Sequence, residues 1–432
     1  MCKYLWLCIT LQSNYSLVFF PFRIPQSVAD KVIHKEVGET ALKEVLAGLS
    51  HLKTFLIEKD EVFAKIKTAI EKQSSHHGSE FFNIQPYGST SVLLCEAESD
   101  VDICVQILPA AIQSHPNSGE FSALPHEAQS RHFLETIVGP AMDPVLGELL
   151  ACLDKPVPVI KGAITMSSSK TRVDITCNEV GRAKTRYLLG LYSADTANFA
   201  AFVVLVQWAR HAGLIKHLDS DDHVFETAVM YAFIVHLLFH DKRGVGEGED
   251  VDKLLGLSLS QLAAHMTQQV KDMEVSETSL VRVGHLVHDF FRFGHSLAAD
   301  DMDLSWPVDG VPLVHVLAKE VVKFRKACSQ SLHALLTTRD IRQTIDNAAD
   351  CCSTQTTYCK KLSLSLSSAM GLARDFHERE LSFKTNAKVT ITEEEGEDRL
   401  VLRAEGSRRA LSDLRVELTE LANSTRVFTI GI

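Results

Sequence analysis

The most informative segment of the chain is Tyr87-Gly88-Ser89-Thr90-Ser91-Val92-Leu93-Leu94-Cys95-Glu96-Ala97-Glu98-Ser99-Asp100-Val101-Asp102-Ile103. Residues 101–108 alternate as a strand does, so Asp100 and Asp102 are predicted to point to one face of it. Val101 and Ile103 would point to the other face, toward a core. Pairs of this kind often lie on solvent-exposed turns. The apolar residues on both sides of these two carboxylates argue against such a turn here.

The paired carboxylates predict a cation site. Two carboxylates held side by side repel each other unless a cation lies between them, and hard oxygen ligands on a rigid strand suit Mg²⁺. The preceding Gly88-Ser89 turn can bring backbone N–H groups and a hydroxyl onto phosphate oxygens. An Asp-x-Asp pair alone is weak evidence, since chance examples occur in many chains.

A third carboxylate strengthens this interpretation. Asp174 stands alone among apolar neighbours in a second predicted strand, Arg172-Val173-Asp174-Ile175-Thr176-Cys177-Asn178. Three carboxylates on adjacent strands form a two-metal phosphoryl-transfer site. The alternative is that Asp174 pairs with a structural arginine. In combination with the Gly-Ser turn and the Asp-x-Asp pair, the metal-ligand interpretation is favoured.

These motifs, in this order, resemble the DNA polymerase β-like nucleotidyltransferases, within them the branch of RNA terminal uridylyltransferases and poly(A) polymerases. The resemblance spans about residues 80–300 and continues through Tyr192, the segment 205–210 and the segment 286–293. The compact length is similar to that of the small kinetoplastid uridylyltransferases. The family resemblance implies an α+β fold with two lobes. These are a mixed-sheet, palm-like catalytic domain and a mostly helical nucleotide-recognition domain, and a small C-terminal α+β module follows them.

The resemblance also implies roles for individual residues. Asp100, Asp102 and Asp174 would be the catalytic metal ligands for Mg²⁺ or Mn²⁺. Gly88 and Ser89 would contact the triphosphate. By resemblance, three further residues would bind the nucleotide. Thr185 stands where the family has an asparagine that reads the ribose 2′-OH, and Arg210 and Thr227 stand at phosphate contacts. Arg186 is a nucleotide-binding candidate because it lies in the basic zone of residues 170–186. The alternative for the basic zone is a solvated strand-to-helix turn.

Recognition of the base is the least defined part of the predicted site. The family's base-stacking tyrosine falls on Ala228, so Phe225 and Tyr231 are candidate replacements, although either could belong to the core. Glu226 is a candidate acceptor for the uracil N3–H, with the acids of residues 300–303 as substitutes. The alternative for Glu226 is a solvated carboxylate at a helix start.

Composition sets the limits on function. The chain of 432 residues has 44 Lys and Arg against 55 Asp and Glu, a net charge of −11, so it is not a general nucleic-acid binder. No apolar stretch reaches the roughly 20 residues of a membrane span. Ten cysteines without a Cys-x-x-Cys motif predict a reducing compartment and no structural zinc.

Residues 1–30 are predicted as a mitochondrial leader, because the first acidic residue is Asp30. The alternative is a ragged terminus that packs on the body of the protein itself, with a cytoplasmic localisation. The predicted domains are an N-terminal helical segment (31–78), the nucleotidyltransferase domain (79–192), a helical nucleotide-recognition domain (193–380) and the C-terminal module (381–432). Within these domains, residues 109–130 are predicted as a surface loop, 132–153 as a helix, and 157–164 and 171–177 as strands. In the C-terminal module, strands are predicted over residues 388–391, 400–404 and 426–430, and a helix over residues 407–422.

The leading hypothesis is an RNA uridylyltransferase that adds UMP from UTP to the 3′-OH of single-stranded RNA and releases pyrophosphate. A mitochondrial RNA-editing-type protein complex is the partner that the resemblance implies. Two alternatives stay open: a poly(A) polymerase of the same fold, and a catalytically weak relative that binds RNA or a protein partner.

Overall fold

The computed structural model describes residues 4–7, 20–23, 26–73, 81–154, 157–166, 170–177, 179–215, 224–352, 356–361, 377–379, 381–382, 388–393, 400–406, 414 and 417–418. The protein is α+β, mostly helical, with a mixed five-stranded sheet. The chain divides into two compact units. The first unit contains Met1–Val204, Gly244–Asp289 and Leu335–Ile341, and the second contains Leu205–Arg243, Phe290–Ala334 and Arg342–Ile432.

Strands and helices alternate in the N-terminal half of the chain, whereas helices dominate the C-terminal half. The N-terminal half contains β1 (Tyr4–Leu7), β2 (Phe20–Arg23), α1 (Gln26–Gln73), β3 (Phe82–Tyr87), α2 (Gly88–Ser91), β4 (Val101–Ile107), α3 (Pro109–Gln113), α4 (Ser118–Ser122), α5 (His126–Phe133), a π-helical turn (Leu134–Val138), α6 (Gly139–Met142), β5 (Leu150–Cys152), β6 (Val159–Thr165), β7 (Lys170–Thr176), α7 (Glu179–Ala194) and α8 (Thr196–His211). The C-terminal half contains α9 (Thr227–Leu238), α10 (Glu249–Leu255), α11 (Leu259–Glu274), α12 (Glu277–Ser296), β8 (Met302–Leu304), β9 (Val314–Val316), α13 (Ala318–Thr338), α14 (Ile341–Cys352), β10 (Thr356–Lys361), β11 (Lys388–Glu393) and β12 (Leu400–Gly406).

The long helix α1 forms because its apolar residues recur at helical spacing, as predicted. Leu42, Val45, Val62 and Ile66 are fully buried along it. Its middle packs on α11, where the carboxylate of Asp60 accepts hydrogen bonds from the first backbone N–H groups of that helix at 2.7 and 3.0 Å. One carboxylate therefore satisfies two of the donors that a helix start leaves open.

The central sheet of the first unit has the strand order β3-β4-β7-β6-β5. Only β4 and β7 run parallel; their neighbours are antiparallel, which makes the sheet mixed. One face packs on a core built from the sheet, α1 and residues 109–146. Because side chains alternate along a strand, the opposite face of β4 and β7 is left to carry polar groups.

Two secondary-structure predictions in this unit are wrong. Residues 109–130, predicted as a loop, form α3, α4 and the first part of α5. In the sequence, Pro109 was interpreted as the end of a strand. In the structure it begins α3, where proline is well tolerated because a backbone N–H in the first turn of a helix has no partner within that helix. The helix predicted over 132–153 stops at Met142, and residues 150–152 are the edge strand β5.

In the second unit, Trp208 is the centre of an aromatic core. Its ring contacts Phe290, Phe291 and Phe324, and its indole N–H donates to the Ser331 hydroxyl at 2.7 Å. The strands predicted near 388–391 and 400–404 are confirmed as β11 and β12, and β10, which was not predicted, pairs on the far side of β12. The strand predicted at 426–430 and most of the helix predicted at 407–422 lie outside the described residues.

None of the helices in the described part of the chain combines the length and apolar character of a membrane span.

Candidate active site

The pairing of β4 with β7 brings the carboxylates together. Asp102 and Asp174 are register partners on these adjacent parallel strands, and Asp100 precedes β4 by one residue. The alternating Val101 and Val173 are completely buried on the opposite face. The strand prediction is therefore confirmed, and all three carboxylates belong to the non-core face of one pair of strands.

Burial and the neighbouring negative charges both disfavour the ionised form of Asp102. Burial, followed by the charges of Asp174 and Asp100, raises the pKa of the Asp102 carboxyl to about 7. Lys161 and Lys59 oppose this rise with smaller effects. A cation bound beside Asp102 would favour its ionised form and so oppose this rise, because an adjacent positive charge stabilises a carboxylate.

Two basic side chains already contact the carboxylates. Lys161 of β6 is the register partner of Asp174, and its ammonium donates to Asp174 Oδ2. This hydrogen bond, more than any other cause, raises the pKa of Lys161. The Nε of Arg172 lies 2.8 Å from Asp100 Oδ1. The alternative from the sequence was that Asp174 pairs with a structural arginine. In the structure Asp174 pairs with Lys161 instead, and Arg172 pairs with Asp100.

The donor set fits a hard divalent cation. Asp100 Oδ1 is buried and accepts no hydrogen bond, since the Arg172 contact lacks hydrogen-bond geometry. The raised pKa of Asp102 shows that the nearby basic side chains offset the burial and the carboxylate repulsion at this position only in part. Among the described residues, however, no three His, Cys, Asp or Glu side chains are arranged as a ready-made metal site. Two of the three carboxylates are instead paired with a basic side chain, Asp174 with Lys161 and Asp100 with Arg172.

A left-handed glycine places the Gly-Ser turn against the carboxylates. Gly88 has φ +77°, and a Cβ added to it would lie 2.3 Å from Asp102 Oδ2. The one-turn helix α2 is fastened to the strand start, because the Thr90 hydroxyl donates to the Asp100 carbonyl at 3.0 Å. Only glycine provides both the positive φ and the close approach.

Thr185 and Arg186 make contacts that the sequence did not predict. Thr185 is 2% exposed; its hydroxyl accepts the Gly88 N–H at 3.0 Å and donates to the Gly181 carbonyl at 3.1 Å. It therefore supports the Gly-Ser turn from behind. Arg186 Nη1 lies 2.8 Å from Asp252 Oδ1 of α10, so its guanidinium is engaged within the first unit.

Lys59 is a residue of the site that sequence reasoning missed. It is 2% exposed, and its ammonium donates to the carbonyl of Ser99, directly before Asp100. Burial lowers the pKa of Lys59, while nearby carboxylates, including Asp100, oppose that shift. The sequence pattern could have predicted that Lys59 is buried, because it occupies a position of the apolar stripe of α1 between Leu56 and Val62.

The other predicted site residues belong to the second unit, around the start of α9 and the end of α8. Phe225 is 3% exposed and its ring contacts Phe233 and Phe324, so it is part of the aromatic core. Tyr231 is also buried. Glu226 is the exposed N-cap residue of α9, without a side-chain cap hydrogen bond, and Thr227 is the first residue of that helix. Arg210 is half-buried near the end of α8.

Solved structures similar to this chain include RNA nucleotidyltransferases. mtPAP in complex with UTP is 16% identical with a TM-score of 0.46, and the match covers 70% of this chain and 73% of that one. The non-canonical poly(A) polymerase complex GLD-2–GLD-3 is 13% identical with a TM-score of 0.47, covering 71% and 97%. Cid1, named for its RNA terminal uridylyl transferase activity, is 12% identical with a TM-score of 0.41, covering 68% and 94%. No protein-family model and no curated protein sequence matches the chain.

Proposed function

We propose that this protein is a metal-dependent nucleotidyltransferase that joins a nucleoside monophosphate from an NTP to the 3′-OH of single-stranded RNA. One observation carries the proposal: β4 and β7 put Asp102 beside Asp174, with Asp100 two residues away and the left-handed Gly88 in contact with Asp102. Partly buried carboxylates placed side by side repel one another, and this repulsion favours a bound cation and, through the cation, a charged substrate.

In this proposal Asp100, Asp102 and Asp174 hold Mg²⁺ or Mn²⁺. When bound, the ions lower the pKa of the attacking hydroxyl and stabilise charge on the triphosphate and the leaving pyrophosphate. The Gly88-Ser89 turn contacts the triphosphate, and Thr185 fixes that turn by accepting the Gly88 N–H. Lys161 and Arg172 neutralise the carboxylates before the ions arrive.

Within this class we favour UMP transfer from UTP, on the sequence resemblance to terminal uridylyltransferases. Arg210 and Thr227 are proposed phosphate contacts, and Glu226 a proposed acceptor for the uracil N3–H, since its carboxylate is exposed at the start of α9. Because Phe225 is buried among other rings, we expect it to support α9 rather than stack on a base. Mitochondrial localisation and association with an RNA-editing-type complex stay predictions from the sequence.

The test is an extension assay with the purified chain, Mg²⁺ or Mn²⁺, a single-stranded RNA and each of the four NTPs in turn. We expect RNA to lengthen with UTP about tenfold faster than with any other NTP, with release of pyrophosphate. An otherwise identical RNA with a 3′-deoxy end is the control and should not lengthen. Preference for ATP would replace uridylyl by adenylyl transfer, and no extension with any NTP by folded protein would refute nucleotidyl transfer.

A further inference from the structure

The face of the central sheet that carries the carboxylates continues beyond them onto β6 and β5. Residues that are register partners on neighbouring strands have their side chains on the same face. Asp102, Asp174, Lys161 and Leu150 are such partners in turn, on β4, β7, β6 and β5. They form one row across the sheet, which leads from the partly buried Asp102 to Leu150, 60% exposed on the edge strand.

Three basic side chains lie on this face beside the carboxylates. Arg172 and Lys170 precede Asp174 on β7 by two and four residues, so they point to the same side as Asp174 and Lys161. The side chains of Lys161, Arg172 and Lys170 are 43%, 64% and 52% exposed. At about 3.3 Å per residue, Arg172 and Lys170 lie roughly 7 and 13 Å along the strand from Asp174. We call Lys161, Arg172, Lys170 and Leu150 the basic strip.

Lys170 is the end of the basic strip, and its acidic partner is open to solvent. Its ammonium pairs at 2.7 Å with the carboxylate of Glu148, whose side chain is 74% exposed. An ion pair with both members exposed is weak, so an anion that brings several charges can displace Glu148. A single-stranded RNA brings one phosphate per nucleotide, and its bases can contact an apolar side chain such as Leu150.

We propose that the 3′ strand of a single-stranded RNA lies along the basic strip, with its terminal nucleotide at the carboxylates and the preceding phosphates on Arg172 and Lys170. This inference rests on the proposed function, because the carboxylates fix where the 3′ end lies. Lys161 and Arg172 contact Asp174 and Asp100, so they bind phosphate when a divalent cation takes their place there. An acidic protein segment matches the same charge, but nothing in its chemistry requires it to end at the carboxylates.

The basic zone predicted over residues 170–186 is divided by the structure. Lys170 and Arg172 belong to β7 and face the carboxylates, whereas the later basic residues of the zone belong to α7. Lys161 lies outside the zone in sequence and joins the strip through the pairing of β6 with β7. The sequence therefore predicted part of this surface, and the strand order supplies the rest.

RNA binding in the absence of NTP tests the basic strip, because no extension then occurs. The full chain with Mg²⁺ is titrated into a fluorescently labelled single-stranded RNA at several salt concentrations, and the anisotropy is measured. Lys170→Ala should weaken binding about fivefold at 0.1 M salt and reduce the slope of log K against log salt by about 0.7, the effect of one phosphate contact on a single strand. Glu148→Gln should strengthen binding, because it removes the anion that competes for Lys170.

The matched control is Lys67→Ala. Lys67 is a similarly exposed lysine that also pairs with a glutamate, Glu71, but it belongs to α1, which packs on the opposite face of the sheet. Its replacement should leave both the affinity for RNA and the salt slope unchanged. Circular dichroism checks that each variant folds. If Lys170→Ala is unfolded, Glu148→Gln decides, because unchanged RNA affinity in that variant would overturn the proposal.

Three results would overturn the RNA path: wild-type affinity and salt slope in folded Lys170→Ala, no binding of single-stranded RNA by the wild-type chain, or displacement of the RNA by polyglutamate of equal charge. The last result would assign the strip to acidic proteins. If the wild-type chain extends RNA but Lys170→Ala binds it normally, the strip is not the RNA path and the proposed function stands. If RNA binding depends on Lys170 but no NTP supports extension, the RNA path stands and nucleotidyl transfer is refuted.

Discussion

Gly88 is the residue on which the proposed phosphate turn depends. Its φ of +77° costs an ordinary L-residue about 1–2 kcal/mol, and a Cβ would strike the carboxylate of Asp102. Its N–H is already used by the Thr185 hydroxyl. The phosphate contacts of this turn must therefore come from Ser89 and the residues that follow it.

Gly88→Ala should reduce RNA extension by at least about tenfold and lower the free energy of unfolding by about 1–2 kcal/mol. The Cβ forces either the turn or Asp102 to move. Extension kinetics and urea unfolding measure the two effects. Gly119→Ala is the control, because a Cβ there meets nothing within 4 Å. Equal behaviour of the two variants would mean that the close approach at Gly88 has no function.

Lys59 should act by positioning the residues before Asp100. Lys59→Met fills the same volume but cannot donate to the Ser99 carbonyl. We expect kcat/KM for extension to fall about tenfold, with little change in Tm, because relief of a buried charge offsets the lost hydrogen bond. The control is Lys53→Met, at an exposed position of the same helix. Full activity in Lys59→Met would remove this residue from the site.

The elements differ in how well the sequence predicted them. Long periodic segments were predicted well: α1, β4 and β7 follow directly from apolar spacing. The placement of Asp102 beside Asp174 followed from the resemblance and from strand alternation. Lys161 could not be predicted in the same way, because its contact with Asp174 depends on which strand lies next to β7 and in which register. The short helices between residues 109 and 133 were missed because Pro109 serves equally well as a strand end or a helix start.

Helix α9 is predicted to respond to acid. Burial, and then the charge of His240, lowers the pKa of His236 in the folded chain. As the pH falls below about 6.5, the unfolded chain takes up a proton at this position first, so folding is disfavoured. His236 therefore does not reduce the stability of the folded chain above about pH 6.5. Below that pH the free energy of unfolding decreases, until the pH reaches the pKa that His236 has in the folded chain.

Tm should therefore decrease less between about pH 7.5 and pH 5.5 in His236→Gln than in the wild type. Scanning fluorimetry at a series of pH values measures this slope. His265→Gln, which replaces an exposed histidine of α11, is the matched control. A slope in His236→Gln identical to that of the wild type would show that His236 does not contribute.

For the molecule as a whole, the residues with proposed roles fall into two groups, one in each compact unit. The carboxylates, the Gly-Ser turn and Lys59 belong to the first unit, whereas Arg210, Glu226 and Thr227 belong to the second. Changes in the first group should therefore reduce kcat with every NTP, because they affect the common phosphoryl-transfer step. Changes in the second group should act on KM or on the choice of base.

The most direct test of the proposed reaction is single-turnover RNA extension by Asp100→Ala, Asp102→Ala and Asp174→Ala. Each should lose extension by at least about a thousandfold, since a metal ligand supplies several kcal/mol of transition-state stabilisation. Circular dichroism should show that they fold. Asp143→Ala, at an exposed aspartate away from these strands, should extend RNA at the wild-type rate. Extension at the wild-type rate by any of the three folded triad variants would contradict the assignment of the site.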